Sequence, residues 1–332
     1  MLLKELTQCF GVSGYEEKIG QLIVGKIKDM VDEITIDAMG TIIAFKKGNG
    51  ENKKKIMVAS HMDEIGFSVL NITDKGYVKV RNVGGISAHV SYMNRVEFRN
   101  GVTGIISSIE KSENIKNNEI NKLYVDIGAK SKEDALKYVN IGEPACYVGE
   151  YHELKNSCVT AKAIDNRIGC YVLIEALKKL KDSYNDVYFV FTVQEEVGLR
   201  GATASARRIK PDIGIAVDIT GSFDVPFETD GNAVIGNGAA IKVMDTAVIC
   251  DDYLVKEMIK CSEENHIKYQ LDVLLGGGTD AGAINISNYG VKCCGISIPT
   301  RYGHGPNAVI SMEDTEACVE LLKEYVNLEF KF

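Results

Sequence analysis

The stretch KIMVASHMDEIGFSVL, residues 55–70, decides the fold. Lys55 to Ser60 carries enough apolar side chains to read as a strand buried on both faces of a sheet, and it runs directly into His61. From Phe67 the texture changes to alternating strands punctuated by Gly and Asn: GFSVLNI, GYVKVRNV, NRVEFRNGVTGIISSI, KLYVDIGA and EPACYVGEY. Within this β-rich region only Lys132 to Tyr138 reads as a short helix.

On either side of that region the pattern is α/β. Residues 15–31 place Ile19, Leu22, Ile23, Ile27, Met30 and Val31 at helical spacing, with Ser13-Gly14 before Glu16 as a boundary. Glu33 to Phe45 reads as a strand. Further on come a helix from Arg167 to Leu180, strands Val187 to Val193 and Ile213 to Val217, and a helix from Tyr253 to His266. A strand Val291 to Ile298 and a helix from Glu313 to Leu328 complete the chain. The expected fold is an α/β/α sandwich around a mixed, mostly parallel sheet. Residues 1–66 and 155–332 would form this α/β domain, and 67–154 an inserted β-rich domain.

Composition narrows the function classes. In 332 residues, 45% are hydrophobic and 25% charged, the balance of a globular protein with a sizeable core. The formal charge is -8, and no basic stretch is interleaved with aromatics, so nucleic acid is not an expected partner. Lys53, Lys54 and Lys55 adjoin Glu51 and read as a solvated turn. Nine cysteines show no CxxC spacing and read as small buried hydrophobes. With no apolar run of ~18 residues and no signal-peptide pattern, the expectation is a cytoplasmic protein without a membrane partner.

In an open α/β sheet, ligands gather at the carboxyl ends of the strands. Here those ends carry His61-Met62-Asp63-Glu64, Gln194-Glu195-Glu196, Asp218 and, six residues beyond the last strand, His304. Several carboxylates cannot share a cleft as bare anions, and a bound cation removes the conflict. Two imidazoles among carboxylates suit Zn²⁺ or Co²⁺, with Mn²⁺ as a further option, and the number of donors is enough for two divalent ions. Asp165, in AIDNRIG, is the candidate bridging carboxylate, in competition with a role as N-cap of the following helix. Were the chain extended at Glu195-Glu196, one side chain would ligate metal and the other would face the attacking water as general base. Asp63, two residues after His61, can orient that imidazole. His89, His152 and His266 are not assigned to the site.

In this order the residues resemble the glutamyl and tetrahedral aminopeptidases of metallopeptidase family forty-two. The resemblance spans the chain through GVSGYE (11–16), SHMDEIGF (60–67), VGG (83–85), DIGAKS (126–131), AIDNRIG (163–169), TVQEEVGLRGA (192–202), AVDIT (216–220), GGGTDAGA (276–283) and IPTRYGHGP (298–306). It implies a dinuclear exopeptidase acting on short peptides, with His61 and Asp218 on one metal, Glu196 and His304 on the other, and Asp165 bridging. Glu195 is then the base and Asp63 the orienting carboxylate. It also implies a PDZ-like insert that mediates homo-oligomer assembly, from dimers to dodecamers, and makes Thr279 and Asp280 candidate substrate contacts. One departure is clear: the family often continues its last histidine as HSPxE, whereas Gly305, Pro306, Asn307 and Ala308 follow His304, which bears on the support of that ring.

Three other readings share some of these features. A glycoside hydrolase of endoglucanase type also uses paired carboxylates, but Trp is absent and a sugar groove is usually aromatic. An N-acyl amino acid amidohydrolase would share the metal chemistry. A non-catalytic metal-binding scaffold would have no use for the spare carboxylate of Glu195.

Overall fold

The computed structural model describes residues 1–227 and 230–332. An eleven-stranded mixed sheet forms its centre. Strands Asp186–Thr192, Lys55–His61, Ile213–Gly221 and Lys292–Arg301 lie side by side and parallel, while the outer pairings are antiparallel except for Ala239–Met244 with Tyr269–Val273, which is parallel. Register aligns the strand ends: Thr192 pairs with His61, and Ala216 with Ala59. His61, Asp218 and the loop carrying Glu195 therefore meet at one edge of the sheet.

Helices cover both faces of this sheet. Met57 and Ser60 are three residues apart in one strand and so point to opposite faces. Ser60 Oγ accepts from Asn166 Nδ2 in the helix Ile164–Lys179. Gly214, in register with Met57, lies against Ile284 of the helix Asp280–Asn285, close enough that a Cβ there would stand 2.5 Å from the isoleucine side chain. Helix Met312–Tyr325 packs beside Ile164–Lys179, and Arg200–Ile209 beside Asp280–Asn285. One continuous core fills the layers, including Ile56, Val58, Leu173, Phe189, Val217, Ile296 and Leu322.

Between Gly66 and Tyr147 six strands close a barrel in the order Gly66–Ile72, Val78–Val83, Leu123–Asp126, Thr103–Ser108, Arg95–Phe98 and Pro144–Tyr147. Alternation builds it. Val96 and Phe98 are buried while Arg95 and Glu97 are exposed, and closure leaves no unpaired edge.

The structure differs from the sequence expectation in several local features. A helix at Leu2–Gln8 precedes the expected one, which spans Glu17–Ile27. The extended stretch 33–45 is a hairpin, Glu33–Ile36 and Ile42–Lys46, because Asp37 Oδ1 accepts from the amides of Met39 and Thr41 and turns the chain. The β-rich region contains a second short helix, Ala88–Ser91, capped by Ser87. All nine cysteines are free, and seven of them are buried.

Candidate metal centre and active site

Each strand end contributes one piece. His61 is the last residue of Lys55–His61, and Asp218 lies within Ile213–Gly221. Both are buried. Asp165 sits at a break in helix Ile164–Lys179, where Asp165 and Asn166 depart from helical geometry. The N-cap role goes to its neighbour: Asn166 Oδ1 accepts from Gly169 N at 3.1 Å. That leaves the Asp165 carboxylate turned to the histidines. Its Oδ1 lies 3.2 Å from His61 Nε2 and its Oδ2 3.1 Å from His304 Nε2.

The expectation of an extended chain at Glu195-Glu196 does not hold. The strand ends at Thr192, and Gln194 turns into the left-handed region at φ 55°. The two glutamates diverge because Asp63 grips the turn: its Oδ1 accepts the Glu195 amide at 3.0 Å and its Oδ2 the Glu196 amide at 3.3 Å. Glu195 Oε2 reaches 3.8 Å from His61 Nε2, and Asp218 Oδ1 stands at the same distance. Donor atoms fall within 4.8 Å of one another in three sets: His61–Asp165–Asp218, Asp165–Glu196–His304 and His61–Glu195–Glu196. Asp165 is common to the first two.

Tautomers follow from the far nitrogens. His61 Nδ1 lies 3.2 Å from the Asp63 carbonyl and 3.5 Å from Asp63 Oδ1, so a proton on Nδ1 leaves Nε2 facing the carboxylates. His304 Nδ1 donates to the Gly85 carbonyl at 2.7 Å, which supplies the ring support that Gly305 to Ala308 do not. Gly84 and Gly85 make this approach possible. A Cβ on Gly85 would stand 3.0 Å from His304 Nδ1, and one on Gly84 3.1 Å from Glu196 Oε2.

The electrostatics are those of a site crowded with acids. Burial pushes Glu196 up to about 7, with the Asp165 charge adding to the shift. Burial likewise holds Glu195 and Asp218 well above the carboxylate range, the His61 charge only partly offsetting it. Asp165 raises His304 to about 10 through its hydrogen bond, against burial. Burial works against a charged His61, but Glu195, Asp165 and Asp63 outweigh it and keep the ring protonated. Burial also opposes ionisation of Asp165 and Asp63, yet the imidazoles hold the former low and His61 and Ser13 the latter. Protons on the histidines thus do the balancing that a divalent cation does better. Glu196 Oε1 is buried with no hydrogen-bond partner, as an oxygen reserved for a cation would be. The donor set fits divalent metal.

Glu64, although it follows Asp63, points away from this cluster. Its carboxylate accepts from Lys162 Nζ at 2.6 and 2.8 Å and from Gly11 N at 3.1 Å, and Arg167 Nη2 stands 3.5 Å away. A cleft of about 670 Å³ opens over the cluster, lined by Leu199, Ile219, Leu274, Gly277 and Thr279 among others. Thr279 caps the helix Asp280–Asn285 by accepting from Ala281 N. Asp280 lies deeper, 1% exposed, and accepts from Thr192 Oγ1 at 2.6 Å. Burial raises it to about 6. His89, His152 and His266 are all exposed and take no part in the cluster.

Sequence reasoning did not single out Ser13, Glu16, Gly85 or Asn166. Ser13 Oγ donates to Asp63 Oδ2 at 2.6 Å, and Glu16 Oε1 accepts from Gln194 N at 3.1 Å. The motifs GVSGYE and VGG were the available signal, although Ser13-Gly14 before Glu16 reads first as a helix boundary.

Known proteins resemble this chain over nearly its whole length. Residues 40–321 match the family model of M42 glutamyl aminopeptidase. A curated relative described as a putative aminopeptidase from Acetivibrio thermocellus is 49% identical over 325 residues, covering 98% of this chain and 97% of its own. Among solved structures, an aminopeptidase from the archaeon Desulfurococcus kamchatkensis superposes with a TM-score of 0.94 at 36% identity, over 98% of this chain and 93% of that one. A TET1 peptidase from Pyrococcus horikoshii, described as assembling into a tetrahedron or a large octahedral shell, gives 0.86 at 34% identity, over 99% and 98%. Family membership implies divalent metal ions. Among the described residues no helix is long and apolar enough to cross a membrane. The chain is a peptide-bond hydrolase of aminopeptidase type and belongs to the M42 glutamyl aminopeptidase family.

Proposed function

We propose that this chain is a dinuclear-metal aminopeptidase that removes N-terminal residues from short peptides. His61 and Asp218 would hold one divalent cation and Glu196 and His304 the other, with Asp165 shared between the two. The observation that carries the reading is the Asp165 carboxylate, whose two oxygens face two different imidazoles at 3.2 and 3.1 Å. The ligand set favours Zn²⁺ or Co²⁺ over Mn²⁺. When bound, such ions polarise the scissile carbonyl and acidify the attacking water.

The chain's own residues do the rest. Glu195, beside His61 and outside the two ligand sets that share Asp165, accepts the proton of the attacking water and delivers it to the leaving amine. Asp63 holds His61 on one side and the amides of Glu195 and Glu196 on the other. The cleft accommodates a short peptide end, with Thr279 at its wall as a candidate contact, whereas Asp280, 1% exposed and bonded to Thr192 beneath that wall, is sealed from substrate.

The barrel strands between Gly66 and Tyr147 fit an inserted PDZ-like domain spanning 67–154, and residues 1–66 with 155–332 fit the catalytic domain. The shell-forming TET1 peptidase and a solved PhTET1 dodecamer support reading this chain as a homo-oligomer, for which we propose dimers as the unit and the cytoplasm as the place. The test is a panel of aminoacyl chromogenic amides assayed with EDTA and after adding back Zn²⁺, Co²⁺ or Mn²⁺. Cleavage that disappears on chelation and returns with metal supports the proposal; chelator-resistant cleavage rejects it.

A further inference from the structure

The segment Gly11–Glu16 enters none of the steps above, yet it is built into both loops that carry the site. Glu64 N donates to Gly11 O at 3.0 Å and Ser13 N to Glu64 O at 3.3 Å, so Val12 and Glu64 form a parallel bridge. The side chains reach further. Ser13 Oγ donates to Asp63 Oδ2 at 2.6 Å. Glu16 Oε1 accepts from Gly14 N at 2.8 Å and from Gln194 N at 3.1 Å. Both residues are buried.

The consequence falls on three consecutive amides. Those of Gln194, Glu195 and Glu196 are each held by a buried carboxylate, the first by Glu16 and the next two by Asp63. Gln194 is the left-handed residue at which the chain turns, a conformation uncommon outside glycine and in need of such support. The turn sets where the Glu195 side chain stands relative to His61, and a general base displaced by about 1 Å can lose ~10²-fold in rate.

We infer that Glu16, aided by Ser13, is a positioning residue for Glu195: it fixes the Gln194 turn through an acceptor oxygen and so sets the reach of the base. This rests on the reading of Glu195 as base. Burial raises the Glu16 carboxyl to about 7, the amides of Gly14 and Gln194 opposing the shift and Asp63 adding to it. Protonated or ionised, it keeps an acceptor for Gln194 N, so a glutamine amide can serve in its place.

The experiment compares Glu16→Ala, Glu16→Gln and Ser13→Ala, in the native background and together with Glu195→Gln. Metal-loaded full-length protein is assayed for kcat, KM and metal content on an aminoacyl p-nitroanilide that the unaltered protein cleaves. Glu16→Ala and Ser13→Ala should each lower kcat about tenfold, the scale of one lost hydrogen bond, with KM and metal content unchanged. Glu16→Gln should retain most of the activity. Adding Glu16→Ala to Glu195→Gln should cost nothing more, because the group being positioned is gone. The inference is overturned by unchanged kcat in Glu16→Ala, by Glu16→Gln failing as badly as alanine, by the same loss in both backgrounds, or by metal lost in step with activity. If Glu16→Ala does not fold, Ser13→Ala provides the same readouts. Full turnover in Glu195→Gln alone would instead reject the base reading, in an arm that does not involve Glu16.

Discussion

His304 Nε2 lies 3.1 Å from Asp165 Oδ2, although the two residues come from a loop after the last long sheet strand and from a break near the start of a helix. The other oxygen of the same carboxylate faces His61. This places the Asp165 carboxylate between two imidazoles at the sheet edge, and the proposed bridging role has consequences that can be measured.

Replacing Glu195 by glutamine removes the proposed base but leaves the two donor sets that share Asp165 intact. Metal content should match the unaltered protein, while kcat falls at least ~10²-fold. Elemental analysis alongside steady-state kinetics checks both halves.

Asp63→Asn preserves shape but weakens the partner of His61 Nδ1 and of two amides. Affinity for the metals should drop by about 10–100-fold, as for other groups that orient a ligating histidine. Competition against a chromogenic chelator reports it directly.

Gly85→Ala introduces a Cβ 3.0 Å from His304 Nδ1. The ring must give way by a few tenths of an ångström and its hydrogen bond to the Gly85 carbonyl lengthens. One of the two cations should be held more weakly than the other, visible as two-phase chelation where the unaltered protein shows a smaller separation.

The pH dependence of the metal-free protein has a definite sign. Glu196 is raised from 4.5 to about 7 by burial, and His304 from 6.5 to about 10 by its hydrogen bond to Asp165. A group whose affinity for protons is higher folded than unfolded stabilises the fold at low pH. The Glu196 contribution is therefore complete below about 4.5 and gone above 7; that of His304 is complete below 6.5 and lost toward 10. The metal-free protein should lose thermal stability as pH rises from about 5 to 9, whereas the metal-loaded protein, with the same groups bound to cations, should not. Metal uptake at pH 7 should release protons, read by calorimetry in buffers of different ionisation enthalpy. Uptake without proton release contradicts the assignment of His304.

Much of the site was legible because strand ends are legible. An apolar run that stops at His61, Gln194-Glu195-Glu196 or Asp218 announces which residues reach the carboxyl edge of a parallel sheet. Asp165 was ambiguous, since a carboxylate at a helix start reads equally as a cap. Only the hydrogen bond from Gly169 N to Asn166 assigns the cap to its neighbour. The Glu195-Glu196 divergence was expected from an extended chain, and the backbone instead turns at Gln194 under the hold of Asp63 and Glu16. Ser13 and Glu16 read as a helix boundary and Gly85 only as part of a motif, because their partners in the site lie far along the chain, where local pattern does not reach. The hairpin at Asp37 and the helix Leu2–Gln8 were lost for a plainer reason: both are short, and short elements give weak periodicity.

The most direct test of the central claim is crystallography of the protein soaked with Zn²⁺ or Co²⁺, with anomalous difference maps. Two peaks flanking the Asp165 carboxylate, one beside His61 and Asp218 and the other beside Glu196 and His304, are the predicted result. A single peak that Asp165 does not touch, or none among these five residues, would contradict it.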